Sequence, residues 1–349
     1  MSEEIKLNPI QLTTALRACI KARRRCLVKG APGVGKTDIV KRLAADEKAK
    51  LIIMHPSVSD PTDYKGLPFV VDGKASFLPF GDLDEVLNAT ELTILFLDDL
   101  GQGSTAVQAS VMQLADRIKS NKNVVLLAAT NERTHRAGVT GLLEPVKSRF
   151  DTIISLGVDF PSWKKWAVEH DIDYRALGYL EQQPDALHKF DATADIVNQP
   201  CPRTWEAASA ILQMEVGDED VRFTMLIGAV GAAAATTFHA WLKIAEDAPS
   251  REEVIADPHN VRIPNESSAL YAVVSSLSLG FTKPEFPSIA TFAQRLYKGE
   301  HGEFCALMLK DIFRKDPSVE KTPAFSALSK TPVAKLVMEA VRFNQSEAK

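Results

Sequence analysis

The 349-residue chain predicts an α/β fold, with a three-layer αβα core on a parallel sheet and an all-helical remainder. Three observations carry that reading. Short apolar runs alternate with helix-forming segments through residue 158, as in strand–helix–strand units. The runs at 51–54 and 124–129 are continuously apolar and 92–97 is broken only by Thr93, the pattern of strands buried on both faces. After Phe160-Pro161-Ser162 the strand signal ends and 3.6-residue periodicity takes over. The chain divides accordingly into a core over 1–158, a helical segment over 159–215 and a helical C-terminal region over 216–349.

The elements follow in order. Residues 8–21 predict a helix with Leu12, Leu16 and Cys19 on one face. Cys26-Leu27-Val28 predicts a strand, and 38–45 predicts a helix after the glycine-rich segment between them. Residues 51–54 form a second strand, and 57–66 a polar loop. Asp72-Gly73 at the centre of 67–78 predicts a hairpin turn. A hairpin inside a strand–helix alternation does not fit a parallel sheet, so 67–78 reads as an insertion projecting from the core. A helix at 83–89 precedes a strand at 92–99 that ends in Asp98 and Asp99. A helix at 107–119, a strand at 124–129 ending in Thr130-Asn131, and a strand at 153–156 complete the core.

Helical patterns then occupy 163–170, 174–182, 204–214, 221–246, 267–278, 288–298 and 303–314. Thr322-Pro323 and Thr331-Pro332 each predict a helix start, a capping threonine before a first-turn proline. Val333, Leu336, Val337, Ala340 and Val341 share one face of the last helix. The apolar run 225–235 is about half the length that spans a bilayer, and its Gly228 and Gly231 read as a closely packed buried helix.

The chemistry begins at Gly30-Ala31-Pro32-Gly33-Val34-Gly35-Lys36-Thr37, a complete G-x-x-x-x-G-K-[ST] loop between a strand and a helix. Glycines let backbone N–H groups close on phosphates, and the helix start adds its positive dipole end. Lys36 brings a full charge to the phosphates, and the Thr37 hydroxyl is a ligand for Mg2+. A bound nucleoside triphosphate is the expectation. Asp98 follows Lys36 by 62 residues and Asn131 follows Asp98 by 33. Both close apolar strands, and ligands sit at the carboxyl ends of strands in open α/β sheets. Arg149 lies just before the last core strand, and Arg203 opens a helix beyond the core.

Composition narrows the classes. The net charge of −4 counts against indiscriminate nucleic-acid binding. Lys21, Arg23, Arg24 and Arg25 suit the negative end of the first helix. Cys19, Cys26, Cys201 and Cys305 lack C-x-x-C spacing and read as reduced thiols of a cytoplasmic protein. The histidines show no metal-ligand spacing, so a structural metal is not expected. The opening Met1-Ser2-Glu3-Glu4-Ile5-Lys6 is not a signal peptide.

Taken in order, these residues resemble the motifs of an AAA+ ATPase. Gly30–Thr37 matches Walker A, 95–99 Walker B, Asn131 sensor 1, Arg149 the arginine finger and Arg203 sensor 2. The hairpin at 67–78, ahead of Phe80-Gly81-Asp82-Leu83, resembles the helix-2 insert of the MoxR-like, dynein-related branch. The resemblance covers residues 5 to about 215. It implies ATP and Mg2+, with Asp98 holding the metal and Asp99 acting as the base or water-orienting carboxylate. Asn131 would contact the water or γ-phosphate, and Arg203 would bring the 159–215 lid onto the nucleotide. Arg149 would act on a neighbour's nucleotide, which requires a homo-oligomeric ring, in this family a hexamer. A protein client and a partner with a von Willebrand factor A domain are implied as well.

Two departures stand out. Asp99 occupies a position where the family usually has glutamate, one methylene longer. Residues 117–123 are also a short connection where MoxR-like relatives usually carry a longer hairpin. The 67–78 insert is then the main substrate contact, with Lys74 at its tip and Phe69 and Phe77 on its arms. Two alternatives use the same core. One is a nucleic-acid motor or loader with 21–25 and Lys74 lining a pore, and the other is a weakly hydrolysing, nucleotide-switched scaffold suggested by Asp99.

Overall fold

The computed structural model describes residues 5–132, 141–190 and 196–347. They form two compact units. The first comprises Met1–Trp163, Phe190–Ile196 and Cys201–Arg203, and the second Lys164–Lys189, Val197–Pro200 and Thr204–Lys349.

The first unit is built on a six-stranded parallel sheet. Its strands are β1 (Lys6–Leu7), β2 (Cys26–Gly30), β3 (Lys50–Met54), β6 (Thr93–Leu97), β7 (Val124–Asn131) and β8 (Thr152–Leu156), in the order β1-β8-β2-β7-β6-β3. The hairpin strands β4 (Leu67–Val71) and β5 (Lys74–Leu78) form a separate antiparallel pair. Every pairing in this sheet is parallel, so each connection must cross a face of the sheet, and helices fill both faces. β1 was not anticipated. It is two residues long, too short for a periodicity signal, and exists by pairing Lys6 and Leu7 with Ser155 and Leu156.

Continuous apolar strands supply both faces at once. Ile94 and Phe96, with Val125, Leu127 and Ala129, pack beneath α1 (Pro9–Lys21) and α2 (Lys36–Asp46) through Leu12, Leu16, Ile20, Val40 and Leu43. On the other face Leu95 and Leu97, with Leu126 and Ala128, meet Tyr64 of α3 (Pro61–Lys65) and Leu83 and Val86 of α4 (Gly81–Leu87). Val107, Val111 and Leu114 of α5 (Thr105–Arg117) join them. Burying each such aliphatic side chain contributes about 1.5–3 kcal/mol. A short helix, α6 (Glu144–Lys147), leads into β8.

The hairpin stands apart as the sequence predicts. Asp72 and Gly73 have φ of +50° and +73°, the left-handed pair that a two-residue hairpin turn requires. All ten strand residues are exposed.

The second unit is all-helical among the described residues. Sequence expectations fail there at two places: the final helix begins at Ala334 rather than at Pro332, and 221–246 is two helices, Glu219–Val230 and Ala232–Ala245. Gly231 between them has φ +83°, and a Cβ at that position would press on the Asn198 carbonyl oxygen at 2.7 Å. The glycine therefore turns the chain where an alanine would continue the helix. Nothing lies within 4 Å of a Cβ built on Gly228, so that glycine is not a close-packing contact. Thr322 caps its helix by accepting from the Phe325 N–H, as expected, and Val333, Val337, Ala340 and Val341 are buried in the C-terminal core. No described helix is long and apolar enough to cross a membrane.

Candidate active site

The site forms where strand ends converge. Gly30 at the end of β2 is in register with Asn131 at the end of β7, and β6 ends one residue before Asp98. The loop leaving β2 turns through Gly33 and Gly35, with φ of +72° and +89°. Gly35 caps α2 without any side-chain acceptor, so the first amides of that helix are left for an anion. Nothing lies within 4 Å of a Cβ built on Gly35, whereas one on Gly33 would collide with Cys201 Sγ.

Lys36 opens α2 and turns inward, 7% exposed. Its ammonium donates to the carbonyl oxygens of Gly30 (3.1 Å) and Ala31 (2.8 Å) and to Asn131 Oδ1 (2.8 Å). Burial lowers its pKa to about 8, and the charges of Asp99 and Asp98 oppose that shift. Asn131 passes the network on, donating from Nδ2 to Asp99 Oδ1 at 3.2 Å. Asp98 accepts from the Asp99 backbone N–H on Oδ1 (3.1 Å) and from the Thr37 hydroxyl on Oδ2 (2.7 Å). Asp99 sits at φ +53°, a left-handed conformation that aspartate tolerates better than most residues. Burial, then the neighbouring Asp98 charge, raise its pKa against the pull of Lys36, Arg203 and His55. It is accordingly a better proton acceptor than an ordinary aspartate.

These groups fit a magnesium nucleotide. The Thr37 hydroxyl and the Asp98 carboxylate are hard oxygens 2.7 Å apart, a donor pair suited to Mg2+. The three Lys36 acceptors are all neutral oxygens, and phosphate makes stronger, charge-assisted bonds to an ammonium.

Arg203 belongs to the same constellation. Its backbone N–H donates to Gly33 O at 3.2 Å, and its charge acts on both Lys36 and Asp99. Arg149 does not join it. It precedes β8 at the N-terminal edge of the sheet, whereas the loop follows the C-terminal end of β2, the strand paired with β8. The five paired residues span about 16 Å, further than an arginine side chain extends. Arg149 instead pairs with Asp116 at 3.0 Å.

Two neighbours of the site escaped the sequence reading. His55 follows β3, and the same strand-end rule that selected Asp98 could have found it. Cys201 packs on Gly33 and stands two residues before Arg203. Only its closeness to that arginine in sequence hinted at a place here.

Residues 26–158 match the family model described as "ATPase family associated with various cellular activities (AAA)". The chain carries an AAA ATPase domain. The matched span holds Gly30–Thr37, Asp98, Asp99, Asn131 and Arg149, and it ends before Arg203. The AAA assignment thus agrees with the αβα core and the phosphate loop. No curated protein matches the chain. Among solved structures it is similar to a variant of RuvB from Thermotoga maritima, at 16% identity over 79% of this chain and 85% of that one, with a TM-score of 0.38. It is also similar to PCH-2 of C. elegans, at 16% identity over 77% of this chain and 68% of that one, with a TM-score of 0.32. Similarities this distant add nothing to the reading of the AAA domain.

Proposed function

We propose that this protein is a ring-forming, MoxR-like AAA+ ATPase that couples Mg2+-dependent ATP hydrolysis to remodelling of a protein client. The observation that carries the reading is the continuous network Lys36–Asn131–Asp99–Asp98–Thr37. It places a phosphate-binding ammonium, a water-orienting amide, a raised carboxylate and a pair of cation-binding oxygens in one chain of hydrogen bonds.

Each residue has a task in that reading. Lys36 exchanges its neutral acceptors for phosphate oxygens. Thr37 and Asp98 are the residues that would hold Mg2+, whose charge neutralises the β- and γ-phosphate oxygens when bound. Asn131 orients the attacking water, and Asp99 accepts its proton. Arg203 carries positive charge to the γ-phosphate from within the lid, residues 159–215. Arg149, too far from its own loop, serves the neighbouring protomer's triphosphate, where it stabilises charge on the transferred phosphoryl. A head-to-tail contact of this kind closes into a ring, in this reading a hexamer.

The hairpin supports a protein client. Phe69 and Phe77 are each 57% exposed and Val70 is 75% exposed. Pro68, Val70 and Phe77 lie on one face, and Leu67, Phe69 and Leu78 on the other. Exposed apolar side chains on both faces of the hairpin suit protein segments better than a phosphate backbone. A partner with a von Willebrand factor A domain, docking through residues 216–349, completes the proposal.

Asp99→Asn tests the chemistry. It keeps the shape and removes the base, so steady-state ATP turnover should fall by about 100-fold or more while labelled ATP still binds. Turnover equal to that of the unaltered protein would contradict the assignment.

A further inference from the structure

Arg149 does not stand freely at the edge of the AAA domain. Its Nη2 lies 3.0 Å from Asp116 Oδ2, and its Nη1 contacts Pro145 O at 3.4 Å and Ser148 Oγ at 3.5 Å. Its Nε is buried without a hydrogen-bond partner among the described residues. Arg25 braces the same corner from beneath. Its guanidinium donates to Ala115 O (2.6 Å) and Arg149 O (3.4 Å), and its backbone N–H donates to Asp151 Oδ2 (2.8 Å). The backbone on each side of the Asp116–Arg149 pair is thus tied to one side chain, while the pair itself remains partly open to solvent.

Asp116 belongs to α5, the helix that begins just past Asp98 and Asp99. The turn Leu100–Gln102 follows Asp99 directly, Ser104 caps α5 by accepting from the Val107 N–H, and the helix runs 13 residues to Arg117. That is about 20 Å of helix, stiff through its buried Val107, Val111 and Leu114. One end of α5 is set by the acids of this protomer's own site. The other end carries the carboxylate that holds Arg149.

We propose that Asp116 is the positioning residue for Arg149, orienting its guanidinium for the neighbour's triphosphate. This rests on the reading of Arg149 given above. An arginine has many rotamers, and fixing it beforehand removes the entropy cost of docking when the neighbour arrives. Asp116 takes one N–H of Nη2 and leaves the other. Nη1 is held only by the long contacts to Pro145 O and Ser148 Oγ, which the charged oxygens of a phosphate would outcompete. The pair is exposed enough to be weak in itself, so its contribution is to orientation rather than to the stability of the fold.

The test is a double-mutant cycle on ATP turnover with Asp116→Ala, Arg149→Ala and the double variant, alongside Asp116→Asn. Asp116→Ala should lower kcat about 5- to 10-fold with KM for ATP and the unfolding temperature unchanged. It should cost nothing further once Arg149 is alanine. Asp116→Asn, which keeps a hydrogen-bond acceptor, should recover part of the loss. If Arg149→Ala lowers turnover but Asp116→Ala does not, or if the two losses simply multiply, Asp116 has no positioning role and Arg149 keeps its own. If Arg149→Ala leaves turnover unchanged, the intersubunit reading itself fails and the Asp116 proposal with it.

Discussion

At the residue scale, the site turns on Lys36. Its ammonium places three donors on loop carbonyls and Asn131, so the loop is held in shape by the group that would bind phosphate. Lys36→Met removes both functions while keeping the apolar stem. Each charged hydrogen bond contributes about 1.5–3 kcal/mol, so ATP affinity should fall by roughly 10- to 100-fold in a fluorescent-nucleotide titration. Unaltered affinity would mean that the loop does not grip phosphate through this side chain. Most of the site was legible in sequence because its residues obey two local rules: the phosphate-loop spacing and the placement of polar residues at strand ends. Cys201 was not. It reaches Gly33 through tertiary folding, and no spacing rule links residues so far apart. The Asp116–Arg149 pair was hidden for the same reason.

At the scale of elements, the sheet was readable because its strands are apolar runs too short for buried helices, set between helix-forming segments. The hairpin was readable from Asp72-Gly73 alone. The split at Gly231 is invisible to periodicity because apolar residues continue across it, and periodicity does not register a glycine at positive φ where the Asn198 carbonyl leaves no room for a side chain. Nor does sequence disclose the ion triad in the helical unit. Lys164, 7% exposed, reaches Glu181 at 2.5 Å and Asp311 at 2.7 Å. Burial opposes the lysine's charge, but Asp311 and Glu181 outweigh it and raise its pKa, while burial raises that of Glu181. Lys164→Met would leave two buried carboxylates facing each other. Such a break costs about 3–5 kcal/mol, measurable by urea unfolding. A loss below about 1 kcal/mol would place the triad with weak surface pairs.

At the scale of the whole molecule, the fold divides the catalytic parts unequally. Lys36, Thr37, Asp98, Asp99, Asn131 and Arg203 meet at the C-terminal edge of the sheet, and Arg149 lies at the opposite edge. Sequence order alone could not show this, because Arg149 is closer in sequence to Asn131 than Lys36 is. The parallel register of β2 with β8 decides it, by fixing which end of the strand each residue occupies. On the proposed function, a phosphate loop in one protomer and an arginine that serves only another would make a site that no single chain completes.

Mixing two disabled proteins tests this most directly. Lys36→Ala lacks the phosphate grip and Arg149→Ala lacks the arginine, so each alone should hydrolyse ATP poorly. In a mixed ring, an Arg149→Ala protomer can receive Arg149 from a Lys36→Ala neighbour. Random assembly of equal amounts restores about a quarter of the interfaces, so ATP turnover should reappear in the mixture. Turnover no higher than the average of the two separate proteins, in rings verified to contain both, would contradict a site shared between protomers.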